Sequence, residues 1–207
     1  MIDLYSSPTP NGRKISIMLE ELGVDFNPIL INLDKKEQFS EHFSKISPAN
    51  KIPVIVDNDN NQTVFESGAI LLYLAKKYDK FLNKDKYWEI IQWVFFQMAY
   101  VGPMLGQAHQ YLFYHPGKSK FAEDKTKGYA QHIYSILDKR LSKQEYFSDT
   151  YSIADISIWP WTARYERHQI NLHDYPNVLR WYKQISTRPA VIKGYNSLGE
   201  FYEIPKP

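Results

Sequence analysis

Over residues 1–79 the apolar positions change period repeatedly, and each change marks an element. Ile2 to Tyr5 is a short run of strand type. Thr9-Pro10 then supplies an N-cap followed by proline at the first helical position. Ile15, Met18, Leu19 and Leu22 follow at i, i+3, i+4 and i+7, and Gly23 stops that helix. Ile29, Ile31 and Leu33 alternate, which predicts a second strand. Gln38 to Ile46 reads as a short helix or turn with Phe39 and Phe43 on one face. Val54–Val56 and Thr63–Phe65 flank the turn-forming run Asp57-Asn58-Asp59-Asn60-Asn61, the pattern of a hairpin. Ser67 to Tyr78 is helical, with Ile70, Tyr73, Leu74 and Lys77 along one side. The order βαβ, short helix, ββα predicts an α/β, thioredoxin-like domain: a small mixed sheet with helices on its faces.

After Asp79 the strand rhythm stops. Asp85 to Phe113 is a long helical stretch, with Gly102-Pro103 expected to interrupt it. Ala122 to Leu141 is a second helix, with Tyr129, Ile133, Ile136, Leu137 and Leu141 inward. Lys143 to Tyr151 is a polar loop, and Ser152-Ile153-Ala154-Asp155 is a capping box, with Tyr151 and Ile156 placed for a hydrophobic staple. A further helix begins near Pro176. The expected division is an α/β domain over 1–79 and an all-α domain over 86–207, linked by Tyr78 to Lys86.

Composition narrows the function. The 207 residues include no cysteine, so a disulfide framework is excluded and the cytoplasm is the expected location. Met1-Ile2-Asp3-Leu4-Tyr5 reads directly into a strand rather than a secretory leader. The apolar runs are too short for a membrane span, and a net charge of +2 makes no case for nucleic acid. Lys118, Lys120, Lys125 and Lys127 read as a solvated helix face. Six histidines show no i, i+4 pair with a third ligand, so no metal site is expected. Tyr100, Met104, His109, Tyr111, Trp159 and Trp161 fit a cleft lining or a helix core equally well.

Two stretches carry candidate chemistry. In Ser7-Pro8-Thr9-Pro10-Asn11-Gly12, backbone N–H groups and the positive end of a helix favour a thiolate. The Thr9 hydroxyl and Asn11 amide are the candidate donors to sulfur, against the plainer roles of N-cap and turn former. Tyr5, Ser6, Ser7 and Ser16 are alternatives to Thr9. In Glu66-Ser67, a helix start offers a hydroxyl and N–H groups to a carboxylate, and Glu66 a counter-charge to an ammonium, which together suit an α-amino-acid head group. Between them, a cis Ile52-Pro53 bond would expose backbone groups for strand-like pairing with an extended ligand. Thiol chemistry on such a scaffold normally uses a protein cysteine, so here the thiol has to belong to a bound molecule.

Ser-Pro-Thr-Pro-Asn-Gly-Arg-Lys-Ile, Asn50-Lys51-Ile52-Pro53, Phe65-Glu66-Ser67-Gly68-Ala69-Ile70 and Ser152-Ile153-Ala154-Asp155 together resemble the cytosolic glutathione transferases. Thr9-Pro10-Asn11-Gly12, with Gly102-Pro103-Met104-Leu105-Gly106-Gln107 and Ile158-Trp159-Pro160-Trp161, is similar to the bacterial nu class, the glutathione-dependent disulfide-bond oxidoreductases. The resemblance implies the GST fold, a homodimer, and glutathione or its disulfide as cosubstrate. It places Thr9 and Asn11 at the glutathione sulfur and Lys51 and Ile52 along the tripeptide backbone. Glu66 and Ser67 then take the γ-glutamyl group, Gln38 lies near the glycyl end, and Lys125 is a contact from the partner subunit. Two other readings remain: a conventional transferase that conjugates glutathione to electrophiles, and a glutathione-binding regulatory module without turnover.

Overall fold

The computed structural model describes residues 1–199 and 201–207. In chain order its main elements are β1 (Ile2–Ser6), α1 (Pro10–Leu22), β2 (Phe26–Leu30), α2 (Glu41–Ile46), β3 (Val54–Asp57), β4 (Gln62–Phe65) and α3 (Ser67–Tyr78). Then come α4 (Tyr87–Phe96), α5 (Gly102–Ala108), α6 (Lys120–Leu141), α7 (Ile153–Thr162), α8 (Pro176–Ser186) and α9 (Pro189–Asn196). They divide into two compact units, Met1–Leu82 with Thr187–Ile204, and Asn83–Ser186 with Pro205–Pro207.

The first unit is built on one sheet in the order β2-β1-β3-β4. β1 runs parallel to β2 and antiparallel to β3, and β3 pairs antiparallel with β4. Alternation along β1 buries Ile2 and Leu4 fully, with Ile15, Met18 and Leu19 of α1 and Ile70, Leu71 and Leu74 of α3 also in the core. A smaller cluster of Ile31, Phe43 and Val54 takes in Tyr5, Ile46 and Ile52. Asp57, buried at the end of β3, accepts from the hydroxyl of Tyr73 at 2.5 Å and from the Lys77 ammonium, which ties α3 to the hairpin. Burial works to raise the Asp57 pKa, but the Lys77 and Tyr73 hydrogen bonds outweigh it and hold the carboxyl below its usual value.

Three expectations shift. The second strand is Phe26–Leu30 rather than the alternating Ile29, Ile31 and Leu33. β2 is an edge strand, so only part of it is covered, and Pro28 is tolerated there because an edge residue needs no N–H toward solvent. Phe43 is buried, whereas Phe39 is 62% exposed. Phe39 closes a separate 3₁₀ turn, and Ser40 then caps α2 through its side chain, so the two phenylalanines do not share a helix face. The third shift concerns the carboxyl-terminal helix, α9, which belongs to the first unit, on α1. A Cβ on Gly194 would stand 2.6 Å from the Ile17 Cα, so the two backbones meet where only glycine fits. Ser16 donates to the Gly194 carbonyl at 2.6 Å, and Arg188 meets Glu21 with both its Nε and Nη2.

The second unit is helical. Gly102-Pro103 does not break its first long helix: the winding widens to a π-helix over Gln97–Val101 and again over His109–Tyr114. The wider turn absorbs a residue whose N–H is missing, leaving the helical path continuous from Tyr87. Ile133, Leu137 and Leu141 of α6 are buried as expected, while Ala130 and Tyr134 take the core places given to Tyr129 and Ile136. Trp159 and Trp161 are buried in the unit's interior. The Ser152/Asp155 capping box is formed at the start of α7. Among the described residues, no helix is long and apolar enough to cross a membrane.

Candidate functional site

The turn from β1 into α1 is tightly built. Thr9 is the N-cap, and its Oγ1 accepts from the Gly12 N–H at 3.2 Å. A Cβ on Gly12 would lie 2.2 Å from the Ser7 carbonyl oxygen and 2.4 Å from Ser6 Oγ, so glycine is required for the helix to start this close to the turn. The Ser7 hydroxyl donates to the Ile31 carbonyl and that of Ser16 to Gly194, so both serines are committed within the fold. Ser6 and Ser16 are fully buried.

The start of α3 is built differently. Its N-cap residue, Glu66, sits at φ 70° and ψ 119°, a strained backbone for a residue with a Cβ, and makes no side-chain capping bond. Thr9, Ser40, Ser119 and Ser152 each cap their own helices. The first-turn N–H groups of α3 lack such a cap, and a helix amino terminus of this kind attracts anions. Strained conformations persist where surrounding structure holds them and cluster at ligand sites.

Asn11, Lys51, Ile52, Pro53, Phe65, Glu66 and Ser67 converge, with Ser47 and Ala49, on one cavity of about 230 Å³. The Ile52–Pro53 peptide is cis. Among the described residues, nothing in the chain pairs with the N–H or C=O of Ile52. The preceding loop is held by Ser47, whose hydroxyl donates to the Lys51 carbonyl at 2.8 Å and accepts from the Lys51 N–H at 3.0 Å. The cavity thus offers a backbone edge in its middle, an open helix end with a hydroxyl and a carboxylate on one side, and the Asn11 amide on another. That arrangement fits an extended, zwitterionic ligand with an amino-acid head group.

Of the residues expected from sequence, Asn11, Lys51, Ile52, Glu66 and Ser67 meet in this cavity. Thr9 lines a second, more open groove with Ser7, Pro8, Leu30 and Tyr202. Gln38 lies in the 3₁₀ turn before α2 and does not line the cavity. Lys125 is exposed on α6 in the second unit, 5.6 Å from the Phe121 ring centroid and 5.9 Å from that of Tyr129.

One residue escaped the sequence reading. Lys14 is 1% exposed, and its Nζ lies 3.2 Å from Ser67 Oγ. Two consecutive cations in an amphipathic helix ordinarily mark a solvated face. Here Gly12 to Leu19 are buried all round, because α3 packs on α1 from one direction and α9 from another. A signal that could have shown α1 to be covered on more than one face was the additional helix α9, foreshadowed by Pro189 at a helix start.

The second unit holds a further polar group. His109 and His168 stack with ring centroids 4.7 Å apart, and the Tyr134 hydroxyl lies 3.1 Å from His168 Nδ1. Among the described residues, neither Nε2 has a hydrogen-bond partner. Burial lowers the His109 pKa to about 4, with help from Arg167 and Arg164, and burial pushes His168 well below the ordinary histidine value. No group of three or more His, Asp or Glu side chains among the described residues is arranged to hold a metal ion.

Comparison with known proteins agrees with the geometry. Residues 1–76 match the model of the glutathione S-transferase N-terminal domain, and residues 100–189 that of the C-terminal domain. The disulfide-bond oxidoreductase YfcG of Escherichia coli is 43% identical over 198 residues, covering 92% of each chain. A glutathione transferase from Pseudomonas putida, solved with one glutathione disulfide per subunit, superposes with a TM-score of 0.91 at 36% identity, over 96% of this chain and 92% of that one. One from Burkholderia graminis, with two glutathione molecules per subunit, has a TM-score of 0.89 at 38% identity, over 95% and 88%. The chain belongs to the glutathione S-transferase family, with both of that family's domains present.

Proposed function

We propose that the cavity binds glutathione and that the protein catalyses disulfide exchange in which every thiol is supplied by ligands. The observation that carries this reading is the convergence of the Ile52 backbone, Glu66, Ser67 and Asn11 on one cavity in a chain with no cysteine. The γ-glutamyl carboxylate meets Ser67 and the open end of α3, its ammonium meets Glu66, and the tripeptide backbone pairs with Ile52 beside Lys51. Bound glutathione thiolate attacks one sulfur of a substrate disulfide, forming a mixed disulfide with glutathione and releasing the other sulfur as a thiolate that takes a proton from solvent. A second glutathione thiolate attacks the mixed disulfide, giving glutathione disulfide and the second substrate thiol. Two glutathiones are oxidised for each disulfide reduced. The protein positions two sulfurs near a helix amino terminus and stabilises the anion.

Within this reading Thr9 and Asn11 donate to the reacting sulfur. The cap bond uses the Thr9 oxygen as acceptor and leaves its O–H as a donor. The homodimer and the Lys125 contact from a partner subunit belong to the same proposal, supported by the exposed Lys125 and by the exposed aromatic residues Trp88, Phe95 and Phe121 of the second unit.

Ser67→Ala removes a donor to an anionic group and is expected to weaken glutathione binding about ten- to a hundred-fold with the fold intact. Unchanged affinity by calorimetry removes Ser67 from the site. Thr9→Ala and Asn11→Ala are expected to lower disulfide turnover more than they lower affinity, because their hydrogen bonds meet developing charge. Equal losses in both measurements reduce these residues to structural caps. Reduction of a small dialkyl disulfide is measured beside conjugation of an aryl halide. Fast conjugation with disulfide turnover at the uncatalysed rate makes the chain a conjugating transferase, and tight binding with neither activity makes it a binding module.

A further inference from the structure

Lys14 is an unusual neighbour for a ligand pocket: it does not line the cavity, and its Nζ meets Ser67, which does. An ammonium has donors and no acceptor, whereas a hydroxyl has one proton and two lone pairs. Ser67 therefore meets Lys14 as acceptor at 3.2 Å, and its own proton donates away from Lys14. Several charges on α1 and on elements beside it are engaged elsewhere. Arg13 turns to α9, its Nε 3.0 Å from the Tyr195 carbonyl oxygen and its guanidinium 3.6 Å over the Tyr195 ring. Lys77 of α3 binds Asp57 and Asp59, Lys193 of α9 pairs with Glu20, and Asp3 of β1 accepts from Asn27 and Asn58. The charge of Glu66 acts on Lys14.

We propose that Lys14 is a positioning residue of the cavity, acting through Ser67: it fixes the direction in which the hydroxyl donates and sets a buried positive charge behind an anionic ligand head group. The proposal rests on the glutathione reading above. Burial holds the Lys14 amine well below the ordinary lysine range, and the Glu66 charge draws it partly back. A carboxylate docked at Ser67 adds a second negative charge on the same side and favours the ammonium. Anion binding then weakens as rising pH removes that proton.

The test uses the full chain and S-methylglutathione, which has no thiol to titrate. Affinity is measured by calorimetry for the wild type, Lys14→Met, Ser67→Ala and the double variant between about pH 6 and 9, a window chosen below the range of an ordinary lysine. Lys14→Met is expected to weaken binding about tenfold or more at the acid end. The double variant should be no weaker than Ser67→Ala by more than about twofold, because one residue acts through the other. Wild-type affinity should fall across the window and that of Lys14→Met should fall less. Equal affinity, full additivity or identical pH profiles each overturn the role of Lys14. If Lys14→Met does not fold, a flat wild-type profile overturns it alone. Failure of the wild type to bind S-methylglutathione overturns instead the glutathione reading on which the proposal rests.

Discussion

Asp155→Ala is expected to cost on the order of 4 kcal/mol or more of stability, enough to lower the melting temperature by about 10 °C in a chain of this size. The Asp155 carboxylate is fully buried and accepts four hydrogen bonds: from Phe147 N–H at 3.1 Å, Ser152 N–H at 3.0 Å, Ser152 hydroxyl at 3.1 Å and Trp181 Nε1 at 2.9 Å. It thereby joins the start of α7, the loop before it and α8. Removing the acceptor strands these donors away from water, at about 1–3 kcal/mol for each one left unsatisfied. Burial raises its pKa to about 6, against the pull of the donors, so at neutral pH the group is a carboxylate. Asp155→Asn should fare little better, since its amide turns donors toward donors. A melting temperature for Asp155→Ala within a few degrees of the wild type would show that the shell relaxes to other acceptors.

The second large effect is a loss of stability in mild acid, carried by the stacked His109 and His168. Both are neutral in the folded chain, with His109 at about 4 and His168 depressed as well. An unfolded histidine titrates near 6.5. Their stabilisation is therefore complete above about pH 6.5 and drains away as the pH falls toward the folded values, because the unfolded chain binds protons that the folded one refuses. For His109 alone the loss by pH 5 is on the order of 2 kcal/mol, and His168 adds a loss of the same sign. Asp155, raised above the ordinary carboxylate value, takes up its proton in the folded state first and opposes one of the two. Denaturant unfolding at several pH values should show a net loss, and the imidazole resonances of both residues should stay neutral in the native protein down to about pH 5. Native-state titration of either near its ordinary value would refute the assignment.

The legible and illegible parts of the chain differ for physical reasons. Thr9-Pro10, the Asp57–Asn61 turn and the Ser152/Asp155 box are local devices whose chemistry acts within a few residues, and each is found where its sequence puts it. Ile52-Pro53 and Glu66-Ser67 are likewise short and converge because β3, β4 and the start of α3 are consecutive. Lys14 and α9 were out of reach. The burial of Lys14 depends on α3, 53 positions on at Ser67, and the cover over the neighbouring face of α1 on residues some 180 positions away, as the bond from Ser16 to Gly194 shows. The edge strand was misplaced because incomplete cover weakens its alternation, and the π-helical turns were missed because a widened helix keeps nearly the same apolar rhythm.

The return of α9 to α1 also orders events during synthesis. A ribosome releases the strands and α1 long before residues 187–204, so the helix carrying Asn11 and Lys14 emerges with one flank bare. The contacts of Arg13 with Tyr195 and of Ser16 with Gly194 are completed only when residues 187–204 arrive, after the whole intervening helical unit has been made. A nascent chain halted before Thr187 therefore has the residues of the cavity and lacks the wall that holds one of its helices in place. Competence to bind arrives late, and a chain cut short by its final 21 residues loses support for a pocket lined entirely by residues 11–67.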